Sequence, residues 1–259
     1  MDINIIYLLL LMISGASVAS YICCAVERDK SLTFDRSKCN FCSKDLSIKE
    51  LLPIISFLTL KGKCKCLKKK IPYKYLYFEI FLTLLLPLYY FVSIQLNPYA
   101  KSIEVLSIVL LAYLFYLDWE KMVIDMRVLL LLFLLTLLKY FIVGLSYTEF
   151  FLNHSTALFL GFIFLFIISF LYKQVKNVEG MGSGDPYLAG VLGFILGINL
   201  ILPVIVFGSI LGICYHFFSM RKKAFNLQKK VPFGSFLILS AIIINILNIL
   251  LLPNFTFTF

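Results

Sequence analysis

Eight apolar runs divide the chain, at residues 3–26, 76–96, 102–118, 127–147, 153–172, 187–198, 200–218 and 234–252. A helix needs about 20 apolar residues to cross a bilayer, and charged residues collect between these runs rather than within them. The pattern predicts an all-α polytopic membrane protein with about eight transmembrane helices. From Tyr187 to Phe218 the apolar stretch is too long for one span, and Asn199 with Pro203 offers a turn between two. The first run has no basic stretch ahead of it and leads into a polar segment, so it reads as a retained span and not as a cleaved signal. The chain therefore reads as a first helix over 1–26, an insertion over 27–75 between the first and second spans, and a membrane core over 76–259.

Composition agrees with this pattern. Hydrophobic residues make up 61% of the 259 and charged residues 15%, with a mean hydropathy of +0.95. Soluble domains are nearer 45–50% apolar and about 25% charged. A soluble enzyme, a disordered chain and a secreted disulfide scaffold are all excluded. The net charge of +10 suggests nucleic acid until the charges are placed. All but Lys101 and Lys139 of the 24 basic residues fall in 27–75 and in the loops around 119–127, 173–186 and 219–233, which are alternate loops. The positive-inside rule puts those four loops in the cytoplasm and both termini outside. The charge is topological and calls for a lipid bilayer as partner, with no nucleic acid.

The insertion is too short to bury much core unaided, so a small domain here needs a staple. It holds Cys39 and Cys42 in a two-residue-gap pair, and Cys64 and Cys66 with one residue between them. Facing a reducing cytoplasm, such pairs suit a metal better than disulfides. Four thiolates in two close pairs fit a structural Zn²⁺; incidental free thiols are the alternative. Cys23, Cys24 and Cys214 lie in apolar runs and read as packing residues.

Carboxylates at the edge of membrane spans are functional candidates. Asp118 closes the third run, and Asp185 opens the sixth after Gly180-Met-Gly182-Ser-Gly184. The topology sets both at the cytoplasmic side and at similar depth. Brought together, they would share a proton and supply an acid and a base at once. Without that meeting, Asp185 would be a helix cap and Asp118 a residue at the lipid surface. The glycines Gly182 and Gly184 let backbone approach a substrate or a neighbouring helix closely. His154 and His216, the only histidines, fall on the outer side and within a span, and read as structural.

The segment Gly182-Ser-Gly184-Asp185 resembles the Gly-x-Gly-Asp signature of the type IV prepilin peptidases, a group of intramembrane aspartyl proteases. Pro53-Ile-Ile-Ser-Phe57 through Leu60-Lys-Gly-Lys-Cys64, Tyr77-Phe-Glu79, and Val231-Pro-Phe-Gly234 with Phe236-Leu237 resemble that family in the same order; Gly15-Ala-Ser-Val-Ala-Ser20 is a weaker match. The resemblance implies that Asp118 and Asp185 are the catalytic pair. Asp125 stands where the family's pattern has a proline and is a second candidate for the first role, and Tyr187 stands where a lysine is common. The implied substrates are prepilins or pseudopilins, whose basic leader ends in glycine. Glu120 and Glu179 are local acids that could meet such a leader. Members with a cysteine-bearing insertion also methylate the new N-terminus with S-adenosylmethionine, so the resemblance implies that second activity and that co-substrate. It implies the bacterial cytoplasmic membrane as location, with the active site at the cytoplasmic face. A peptidase without methyl transfer, and an ion- or proton-coupled transporter using Asp118 and Asp185, are the alternatives.

Overall fold

Helices dominate because a backbone inside hydrocarbon must satisfy its own hydrogen bonds. The computed structural model describes residues 3–27, 39, 45–65, 67–92, 97–144, 147–178, 180–220 and 231–251. The chain forms two compact units, Met1–Phe91 and Val92–Phe259.

In the first unit α1 (Ile3–Glu27) and α4 (Tyr73–Val92) bracket two short helices, α2 (Ile48–Leu51) and α3 (Ile55–Thr59). A Cβ on Gly15 would lie 2.7 Å from the Leu82 carbonyl oxygen, so α1 and α4 cross with their backbones in contact. Small residues permit that approach where no hydrophobic drive separates helix from lipid. Glu27 at the end of α1 accepts from Tyr75 Oη (2.5 Å) and Lys74 Nζ (2.8 Å) at the start of α4.

The cysteine-bearing stretch has built geometry. The Cys64 N–H donates to Lys69 O, Lys68 N–H to Cys64 O and Ile71 N–H to Gly62 O, each at 2.8 Å, which folds a tight hairpin around the buried Cys64. Gly62 takes φ 65° there, beside the Phe57 ring. Upstream, Ile54 has φ 60° and ψ −53° in a three-residue turn closed by Ile55 N–H on Pro53 O. A β-branched residue rarely adopts positive φ. The buried carboxylate of Glu79 holds it there by accepting the Ile54 N–H at 2.7 Å.

The second unit comprises α5 (Pro98–Lys121), α6 (Met126–Val143), α7 (Tyr147–Phe150) running through a π-helical turn (Phe151–Ser155) into α8 (Thr156–Lys176), then α9 (Asp185–Leu196), α10 (Ile198–Met220) and α11 (Phe233–Leu251). α9 lies at the centre, packed on α6, α8, α10 and α11. Nine of its twelve residues are buried, whereas α8 buries only Ala157, Gly161 and Leu165. A Cβ on Gly161 would lie 2.5 Å from the Ala189 carbonyl oxygen, so α8 meets α9 through small residues. Most of the remaining α8 side chains up to Tyr172 are apolar and wholly or partly exposed, as a lipid-facing surface requires, and Lys173 and Lys176 close the helix.

Seven helices among the described residues are long and apolar enough to cross a membrane: Ile5–Glu27, Tyr73–Val92, Pro98–Lys121, Met126–Val143, Leu152–Lys176, Ile198–Phe218 and Phe233–Leu251. The run expected at 187–198 is the exception. It forms α9, whose twelve residues extend about 18 Å at 1.5 Å per residue, short of a hydrocarbon core about 30 Å thick. The break between α9 and α10 is also not at Asn199 and Pro203. It falls at Gly197, with φ 80° and ψ 172°, a conformation open to glycine alone, and Pro203 lies inside α10. Asn153 Oδ1 accepts the Ile198 N–H at 3.0 Å and caps the new helix.

Candidate active site

Asp118 is placed near the C-terminus of α5, a helix started by Asn97, whose side chain accepts the Ala100 N–H, and Pro98, and ended by a left-handed Met122. Asp185 is the first residue of α9 and Pro186 the next, a position where its missing N–H costs nothing. Both aspartates are buried, each 4% exposed. They meet at the start of α11. A Cβ added to Gly234 would lie 3.1 Å from Asp118 Oδ2 and 3.1 Å from Asp185 Oδ1. The two oxygens are therefore no further apart than twice that distance, and only hydrogen occupies the glycine's side of the gap.

The donors around the pair are unequal. Ser235, fully buried, places its N–H 2.6 Å and its Oγ 2.8 Å from the same Asp118 Oδ2. The hydroxyl also lies 3.0 Å from the Phe115 carbonyl. Asp185 Oδ2 accepts one longer bond, 3.1 Å, from the Gly182 N–H. Asp185 is thus tethered to its own glycine loop and does not serve as a simple cap for α9. Gly184 earns its place by proximity, since a Cβ there would lie 3.0 Å from Ile124 Cβ in the loop after α5. Trp119, Tyr215 and Phe236 form an aromatic cluster beside the pair, with ring centroids 5.2–5.9 Å apart.

Asp125 lies apart from this meeting point in its bonding. It caps α6, accepting the Arg127 N–H at 2.9 Å and the Arg127 guanidinium at 3.2 Å. Burial pushes its carboxyl up, but the Arg127 side chain, the Arg127 and Val128 N–H groups and the guanidinium charge together hold it below the usual carboxylate range. Glu120 is half-buried on α5, and Glu179 lies outside the described residues.

The histidine reading is structural. His154 is buried, with Nε2 2.6 Å from Tyr140 Oη and Nδ1 2.9 Å from the Phe194 carbonyl. A carbonyl can only accept, so Nδ1 carries the proton and Nε2 accepts from the tyrosine. Ser235 and the spacing role of Gly234 were not legible in the sequence. A serine next to a glycine carries no signal until the start of α11 is known to abut α5.

Of the four expected metal ligands, Cys42 and Cys66 lie outside the described residues. Cys39 Sγ and Cys64 Sγ lie 3.1 Å apart, beyond a disulfide bond and close enough for both to reach one ion at about 2.3 Å. Among the described residues no group of three or more His, Cys, Asp or Glu side chains is placed to hold a metal.

Comparison with known proteins bears on both units. Residues 12–93 match the Bacterial Peptidase A24 N-terminal domain, and residues 105–217 match the Type IV leader peptidase family. Three relatives are each a prepilin leader peptidase/N-methyltransferase. That of Bacillus subtilis is 28% identical over 214 residues, covering 82% of this chain and 81% of its own. That of Vibrio cholerae is 27% identical over 220 residues, covering 81% and 80%. The Pseudomonas aeruginosa protein is 29% identical over 210 residues, covering 80% and 70%. No solved structure matches the chain.

Proposed function

We infer, from the premise that this chain belongs to the type IV leader peptidase family, that it is an intramembrane aspartyl endopeptidase with Asp118 and Asp185 as its catalytic pair. One observation carries the reading: two buried carboxylates from different helices point at the same small gap beside Gly234. Two carboxylates that close cannot both ionise easily, so they hold one proton between them. The ionised member takes a proton from a water, whose oxygen attacks the scissile carbonyl carbon. The protonated member gives its proton toward the carbonyl oxygen. When the tetrahedral intermediate collapses, the C–N bond breaks and the leaving amine takes up the proton held by the base.

The substrates are prepilins or pseudopilins, cut on the cytoplasmic side after the glycine that ends a basic leader. The Lys and Arg of 27–75 and of the loops around 119–127 and 173–186 support that side, with the N-terminus outside. Glu120 is a candidate contact for the leader. The transporter reading of the same carboxylates gives way to family membership.

The names of the relatives support a second step, N-methylation of the exposed N-terminus with S-adenosylmethionine as methyl donor. The Cys39–Cys64 pairing supports a zinc staple completed by Cys42 and Cys66. Bound there, the ion would hold the insertion's fold and take no part in either reaction. Zinc analysis of the purified full-length protein is expected to give one ion per chain, lowered by Cys64→Ser; no bound zinc in the wild type would overturn the staple.

The activities are tested by incubating the reconstituted protein with a prepilin and S-adenosylmethionine and weighing the product. Loss of the leader with gain of one methyl group is expected. An uncut prepilin would overturn the peptidase reading, and a cut but unmethylated product the methyltransferase reading.

A further inference from the structure

Asp185 sits at the start of its own α9, and Asp118, in the last turn of α5, lies against the start of α11, so the N-terminal ends of two helices meet the pair. What separates the two aspartates is Ser235. Its N–H and hydroxyl both reach Asp118 Oδ2, at 2.6 and 2.8 Å, while Asp185 Oδ2 has one backbone donor at 3.1 Å. Donors stabilise the charged form of a carboxylate over the neutral one, and short bonds to charge are the strong ones.

We propose that Ser235 is a positioning residue that divides the labour of the pair, keeping Asp118 as the ionised base and leaving the shared proton on Asp185 as the acid. This deepens the aspartyl-peptidase reading and rests on it. The Ser235 hydroxyl carries one proton, for which the Phe115 carbonyl at 3.0 Å competes with Asp118 Oδ2 at 2.8 Å; the ionised carboxylate is the nearer and stronger acceptor and takes it. Gly234 completes the arrangement by letting the chain pass between the two carboxylates before Ser235 turns its donors onto one of them.

The ionisable groups on the surrounding helices are few. α11 carries none along Phe233–Leu251. α9 presents Asp185 itself and Tyr187, α10 presents Tyr215 and His216, and the start of α6 presents Asp125, already engaged by Arg127. α5 adds its own Tyr113, Tyr116, Glu120 and Lys121 around Asp118, and its Glu104 is paired with Lys139 further along. A change in the pH profile on altering Ser235 is therefore read against this fixed set.

The test is the pH dependence of kcat/KM for prepilin cleavage in the reconstituted full-length protein. Ser235→Ala removes the hydroxyl donor and leaves the N–H. The ionised base loses support, so the acidic limb of the profile is expected to move up by about one pH unit, a tenfold loss at the acidic end. Ser235→Thr keeps the hydroxyl and is expected to restore the wild-type limb. An acidic limb that stays put in Ser235→Ala, a basic limb that moves instead, or a threonine variant matching the alanine one would each overturn the proposal. Failure of the underlying reading looks different: Asp118→Asn would then keep cleaving whatever Ser235 does. Loss of cleavage in Asp118→Asn with an unmoved Ser235→Ala profile would sink the serine's role alone.

Discussion

Lys139 Nζ on α6 lies 2.5 Å from Glu104 Oε1 on α5, with both side chains only 6% exposed. The other oxygen, Glu104 Oε2, is buried with no hydrogen-bond partner among the described residues. An ion pair taken out of water recovers its desolvation cost only when the remaining polar atoms are satisfied. This pair therefore fixes which faces of α5 and α6 meet more than it adds net stability. The orientation it enforces is that of the helix carrying Asp118.

Breaking the pair on one side is expected to cost more than removing it. Lys139→Met should destabilise by about 3–5 kcal/mol because it leaves a buried carboxylate alone, while Lys139→Met with Glu104→Leu should return to within about 1 kcal/mol of wild type. Denaturant unfolding of the three proteins in one detergent checks this. A double variant as unstable as the single one would show that the pair itself carries the stability.

Tyr140→Phe removes the hydroxyl that donates to His154 Nε2. A buried acceptor left without its donor costs about 1–3 kcal/mol. The expected loss is in that range, measured by unfolding in detergent, and a Tyr140→Phe protein as stable as wild type would show that the tyrosine hydroxyl is not needed by the buried imidazole.

Gly234→Ala puts a methyl group 3.1 Å from an oxygen of each aspartate. The carboxylates must part to admit it, and displacements of this kind cost about a hundredfold in rate when they act on reacting groups. Cleavage of a prepilin is expected to fall by about that factor while the unfolding midpoint changes little. Unchanged cleavage would mean that the gap beside Gly234 is not where the reaction occurs.

Asp125→Asn should leave cleavage within about twofold of wild type, because asparagine caps a helix as well as aspartate does and the lost ion pair with Arg127 is largely exposed. The carboxyl is held below its ordinary range, so its contribution to folding is present above that range and is lost as pH falls through the lowered value. The aspartate and asparagine proteins should accordingly differ in stability at neutral pH and converge in strong acid, a comparison made by unfolding across pH.

The long helices were legible because a bilayer imposes both length and composition, and runs such as 102–118 and 234–252 reappear in α5 and α11 with ends shifted by a few residues. The short central helix was not. Its end depends on the backbone of Gly197 and on Asn153 reaching over from another segment, neither of which changes the hydropathy of the run. Asp118 and Asp185 stood out as acids at apolar edges, and the glycines before Asp185 marked a close approach that the structure realises against Ile124. Ser235 and the Glu104–Lys139 pair gave no comparable signal. Their meaning lies in partners 117 and 35 residues away along the chain.

The claim that Asp118 and Asp185 work as one catalytic pair is tested most directly by replacing each in turn with asparagine. Both variants keep side-chain volume and hydrogen-bonding capacity while removing the shared proton chemistry. Reconstituted Asp118→Asn and Asp185→Asn, each shown to unfold at close to the wild-type midpoint, are expected to lose prepilin cleavage by about a thousandfold or more. Cleavage by either variant at the wild-type rate would contradict the account.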